Sequence, residues 1–165
     1  MKKIALLFII FIAFACSSDN GKKIYDQAAK FYGEKKYVEA LKEYQKVIDE
    51  YSSGEFREKS LMTIGSMYHM YLIPNINQTE SNQKAVEYFR KLYKEYPKSE
   101  DAPKALFLSG FILSNNLQKL DEAKLAYQTF LKEYPNHELV SAVKSELENL
   151  GKDPEEILQN KLSKK

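Results

Sequence analysis

Apolar and small residues return along this chain at helical intervals, and the intervals themselves repeat. Leu61, Ile64, Gly65 and Tyr68 share their spacing with Leu106, Ser109, Gly110 and Leu113, and with Ile24, Gln27, Ala28 and Phe31. After each run comes an alanine, an aromatic four residues on and a tyrosine seven beyond that: Ala40, Tyr44 and Tyr51; Ala85, Phe89 and Tyr96; Ala123, Tyr127 and Tyr134. Residues three or four apart share one face of a helix, so each run marks an amphipathic helix with a buried stripe. The pattern predicts helices paired at residues 22–34 and 37–51, 55–72 and 81–95, and 99–116 and 119–134. A further helix over 137–150 carries Leu139, Val140, Val143, Leu147 and Leu150 on one side, as a helix capping the last pair requires.

The small residues explain how the pairs fit. Ala28, Gly65 and Gly110 early in one helix, and Ala40, Ala85 and Ala123 in the next, let two antiparallel backbones approach while the aromatics fill the adjoining space. Pro97 and Pro135 follow their tyrosines and stop the second helix, because proline has no N–H to donate. Only the turn inside the hairpin varies. Gly110 lies thirteen residues before Ala123 and Ala28 twelve before Ala40, but Gly65 lies twenty before Ala85. The excess falls in the proline- and asparagine-rich stretch from Ile73 to Asn82, expected to form a loop at the rim. The expected fold is all-α: an α-solenoid of three hairpins with a C-terminal capping helix. Gly151 should end that helix, and Asp153-Pro154-Glu155-Glu156 should open a short C-terminal helix in a tail over 151–165.

The offsets of leucine, glycine, tyrosine, alanine, aromatic and proline resemble the tetratricopeptide repeat over residues 22–150. The chain departs from that pattern in lacking its tryptophan and in placing Gln27 and Ser109 at a usually apolar position. The stretch from Tyr96 to Leu106 is similar to the repeats of bacterial periplasmic adaptors, both the Tol-Pal coordinator (YbgF-like) proteins and the barrel-assembly lipoproteins of BamD type. That resemblance implies a role in outer-membrane assembly or constriction and leaves the two families open.

The amino terminus adds a location. Lys2 and Lys3 precede twelve apolar residues, Ile4 to Ala15, which make only about 18 Å of helix against a hydrocarbon core of roughly 30 Å. Residues 1–15 therefore read as a signal peptide rather than a span. Cys16, the chain's one cysteine, follows directly and resembles a lipobox cysteine that carries diacylglycerol; an ordinary secretory signal with an incidental cysteine is the alternative. Residues 16–21 would then be a polar tether, anchoring the chain to the bacterial envelope, at the outer membrane facing the periplasm.

Composition narrows the partners. The sequence has 25 Lys and Arg against 23 Asp and Glu, and removing Lys2 and Lys3 leaves no net charge, so no basic field favours nucleic acid. The two histidines, His69 and His137, are far apart, and no metal motif, nucleophile elbow or phosphate loop occurs. An enzyme is not expected, nor is a cofactor or metal site.

What remains is binding. In tetratricopeptide arrays the first helix of each hairpin lines a concave groove. The resemblance places Lys22, Tyr25, Ala29 and Tyr32, then Lys59, Met62, Thr63, Ser66, His69 and Met70, then Lys104, Phe107, Leu108, Phe111 and Asn115 on that surface. Phe107, Leu108 and Phe111 are costly to leave wet, at about 1.5–3 kcal/mol each. Either a partner's apolar segment or the capping helix should cover them. The competing reading is a small-ligand binder, or an accessory subunit of a separately encoded envelope enzyme or transporter.

Overall fold

The computed structural model describes residues 18–153, with 155, 156, 159 and 162. These form α1 (Ser18–Gly33), α2 (Tyr37–Glu50), α3 (Glu55–His69), α4 (Gln78–Glu95), α5 (Asp101–Asn115), α6 (Leu120–Glu133) and α7 (Val140–Asn149), with no strand among the described residues. Helices pair as α1–α2, α3–α4 and α5–α6. Consecutive pairs stack through α2–α3 and α4–α5, α7 packs on α6, and the first helices α1, α3 and α5 touch along one side. This is the expected α-solenoid.

The small residues act as the spacing implied. Ala28, Ala40, Ala85, Ala102, Ala105 and Ala123 are wholly buried. A Cβ on Gly65 would come within 2.7 Å of the Phe89 ring, and one on Gly110 within 2.8 Å of the Tyr127 ring. Each aromatic thus occupies the volume that the glycine's missing side chain vacates. The two departures from the repeat pattern also have physical reasons. Gln27 is exposed because α1 begins the described array and has no preceding hairpin to pack against. Ser109 is fully buried and its hydroxyl donates to the Leu106 carbonyl at 2.8 Å, which satisfies it inside the core.

At the other end α7 resembles the first helix of a fourth pair. Val143 is fully buried, and Leu139, Val140, Leu147 and Leu150 are half-buried against the core. Fourteen residues after Tyr51 and Tyr96 stand Gly65 and Gly110; fourteen after Tyr134 stands the exposed Glu148. A charged residue in the slot that elsewhere receives an aromatic suits α7 to end the stack.

Element boundaries differ from expectation where polar side chains cap helices. α4 starts at Gln78 rather than 81, because Asn77 Oδ1 accepts the Glu80 N–H at 2.8 Å. Ser99 Oγ accepts from Ala102 N–H at 3.1 Å, and α5 starts at Asp101. His137 Nδ1 accepts from Leu139 N–H at 3.1 Å, which delays α7 to Val140. α1 extends back to Ser18, into the stretch expected to be a polar tether, and Gly21 is buried beside the Tyr51 ring. The Ile73–Asn82 loop is shorter than expected because its last five residues belong to α4, and Leu72, Ile73 and Ile76 pack on the core.

The three hairpin turns share a device that no glycine announces. Lys35, Tyr71 and Gln118 all sit in left-handed backbone, with φ of 60°, 56° and 53°. At the first two turns the next amide reaches back five residues, Lys36 N–H to Phe31 O at 2.9 Å and Leu72 N–H to Met67 O at 3.0 Å, closing a Schellman motif. Left-handed backbone crowds any Cβ. Lys35→Gly is expected to raise the unfolding free energy by about 0.5–1 kcal/mol, measured by urea denaturation.

Candidate functional site

The predicted inward-facing residues lie on α1, α3 and α5, which adjoin one another along one side of the array. Their chemistry is less uniform than the sequence implied. Tyr25 is half-buried as a packing residue, its ring 5.4 Å from Tyr44 and 5.3 Å from Phe56. Tyr32 meets Tyr37 edge-on at 5.6 Å. Burial first, then the nearby Tyr25 and Tyr32 phenols, push the Tyr44 hydroxyl up to about 12. The α1 end of the surface is therefore a cluster of tyrosines packed on one another.

On α3, Met62 and Ser66 are half-buried, and the Ser66 hydroxyl turns back to the Met62 carbonyl at 2.9 Å. Thr63 does the same to Lys59 O at 2.8 Å. His69 is half-buried in the last turn, with Nδ1 enclosed and without a partner; burial lowers its pKa. An imidazole held this way is neutral near neutral pH.

The lysines that recur at one offset are not equivalent. Lys22 pairs with Asp26 and Lys59 with Glu55, both one helical turn away. Lys104 is exposed and makes no ion pair with a described residue. It is the lysine of the three best placed to meet a partner's carboxylate.

α5 supplies the apolar part. Phe107, Leu108 and Phe111 are each half-buried, with Phe107 6.2 Å from Phe111 and 6.3 Å from Tyr127. α7 packs on α6, and the three side chains keep part of their surface accessible. Met70, at the end of α3, is nearly half exposed.

Two features escaped the sequence reading. Tyr71 presents its hydroxyl to Asn82 at 3.0 Å and to Asn116 at 3.4 Å, tying the second hairpin's turn to the third's. Arg57, buried on α3, donates to the carbonyls of Ile48 and Tyr51 at the end of α2 and to Glu95 on α4 at 2.9 Å. A signal existed: only Arg57 and Arg90 are arginines among the 25 basic residues. Both bridge helices, Arg90 reaching Glu122 at 2.9 Å, where a planar fork of donors outperforms an ammonium.

Among the described residues, no helix is long and apolar enough to cross a membrane, and no group of three or more His, Cys, Asp and Glu could hold a metal. Cys16 and the apolar run before it lie outside the described residues.

A family model for the tetratricopeptide repeat matches residues 76–99 and 104–137, which take in α4 and most of the third hairpin. No curated protein matches the chain at a significant level. The matched segments hold both steps in which proline follows tyrosine, Tyr96-Pro97 and Tyr134-Pro135; the first copy has Ser52 there and Ala28 in place of the glycine. Repeats of this kind indicate a protein–protein interaction adaptor.

Proposed function

We propose that this chain is a non-enzymatic adaptor of the bacterial envelope, anchored by lipid on Cys16, that captures a segment of a partner protein along the α1–α3–α5 surface. Partners of the outer-membrane assembly or Tol-Pal type follow from the resemblance around Tyr96–Leu106. The observation that carries the binding reading is the partly accessible apolar strip of Phe107, Leu108 and Phe111 beside the ammonium of Lys104, which makes no ion pair with a described residue. An apolar helix or extended segment with an acidic residue would cover the strip and meet that charge.

Two experiments test it. Phe107→Asp with Phe111→Asp is expected to weaken partner capture about tenfold or more in envelope crosslinking, with helicity retained by circular dichroism. Unchanged capture would move the binding surface elsewhere. Cys16→Ala should abolish incorporation of labelled fatty acid and release the chain from the membrane fraction; continued labelling would refute the anchor.

A further inference from the structure

Where the third hairpin's turn meets the last helix, the array forms a half-open cavity of about 630 Å³. Its lining is mostly polar. Asn115 and Gln118 each donate one amide N–H, to the carbonyls of Phe111 and Asn115 at 3.1 and 3.4 Å, and their amide oxygens accept from no described residue. Ser114 also lines the cavity; it is only 9% exposed, and its hydroxyl makes no hydrogen bond with a described residue. That hydroxyl is not sealed in the core and opens onto the cavity, where it is available to a ligand.

The charges agree. Glu146 on α7 lines the cavity, half-buried, and makes no ion pair or hydrogen bond with a described residue. Asp153 adds a second carboxylate and Lys152 a single ammonium, so these three sum to one negative charge. Tyr127 lies within the field of Glu146: burial first, then that carboxylate, raise its phenol's pKa, and its hydroxyl is enclosed without a partner. Unmatched acceptors, a half-buried carboxylate and a net negative wall describe a receptor for a cation rich in N–H donors.

We propose that this cavity receives the guanidinium or ammonium head of a basic side chain on the captured partner, with Glu146 as counter-ion and Ser114 and Gln118 accepting its N–H groups. The inference rests on the adaptor reading for the source of that side chain and makes the cavity a second, polar specificity point beyond the apolar strip. An arginine fits best, because its planar fork offers five donors to acceptors spread over two helices and a turn.

The test is an NMR titration of the ¹⁵N-labelled chain with acetyl-arginine amide, and with acetyl-citrulline amide as its uncharged isostere. Saturable shifts at Ser114, Gln118, Glu146 and Asn149 are expected from arginine and none from citrulline. Glu146→Gln should weaken arginine about five- to tenfold, and Lys152→Glu should strengthen it about two- to threefold, with the array's spectrum otherwise preserved. Equal shifts from citrulline, indifference to both variants, or contacts from the residues after Asp153 filling the cavity in the unliganded chain would overturn the proposal. Phe107→Asp with Phe111→Asp should leave arginine binding unchanged. Loss of partner capture with intact arginine shifts would therefore implicate the strip alone, and the reverse pattern the cavity alone.

Discussion

Phe89→Ala is expected to lower the unfolding free energy by about 3–5 kcal/mol, a large part of the roughly 5–15 kcal/mol that holds a domain of this size together. Phe89 is completely buried and its ring fills the space left open by Gly65 on the facing helix. Removing the ring leaves a cavity between α3 and α4 that neither backbone can close without breaking contact with the neighbouring hairpins. Adding volume from the other side should also destabilise. Gly65→Ala places a methyl within 2.7 Å of that ring, at an expected cost of about 1–3 kcal/mol. The two changes are expected to couple. With the ring gone, the new methyl enters vacant space, so the double variant should be more stable than the sum of the two losses implies, by about 1 kcal/mol or more. Urea denaturation of the four chains measures this, and strict additivity would show that the glycine and the ring do not share one volume.

Arg57→Met is expected to cost a similar amount, about 3–5 kcal/mol. The guanidinium is buried and holds three elements at once: the end of α2 through the Ile48 and Tyr51 carbonyls, its own helix α3, and Glu95 on α4. A positive group at the end of α2 also meets the negative pole of that helix. Methionine preserves much of the stem but leaves two carbonyls and a carboxylate without their donor. Glu95→Gln should be milder, at about 1 kcal/mol, because Glu95 is about one-third exposed and Arg57 keeps both carbonyl acceptors. Equal losses in the two variants would show that the ion pair, rather than the carbonyl clasp, carries the interaction.

Of these two sites, only one is written in the spacing of residues along the chain. Gly65, Phe89 and their counterparts Gly110 and Tyr127 announce themselves because packing geometry repeats: identical spacing in successive copies has one economical cause, a hairpin that nests on the next. Arg57 announces itself only through the rarity of arginine in a lysine-rich chain, since nothing local says which carboxylate or carbonyl it will reach. That the candidate residues fall on the three adjoining first helices α1, α3 and α5 was legible from the spacing. The state of each side chain was not, because a neighbour decides it. Lys59 is tied to Glu55, Tyr25 is absorbed by Tyr44 and Phe56, and Lys104 alone of its series makes no ion pair with a described residue.

Order along the chain was enough to establish helices, their pairing and their stacking, because those follow from local periodicity and from small residues that permit close approach. Helix ends were less accessible, since Asn77, Ser99 and His137 cap through single hydrogen bonds that compete with other local choices. The left-handed turns at Lys35, Tyr71 and Gln118 were invisible without a glycine to mark them. The cavity beside Glu146 arises where α5, α6 and α7 meet in space, and no periodicity encodes a void. Recurring contacts between adjacent repeats leave a signature in residue spacing; a single meeting of distant side chains exists only once the chain has folded.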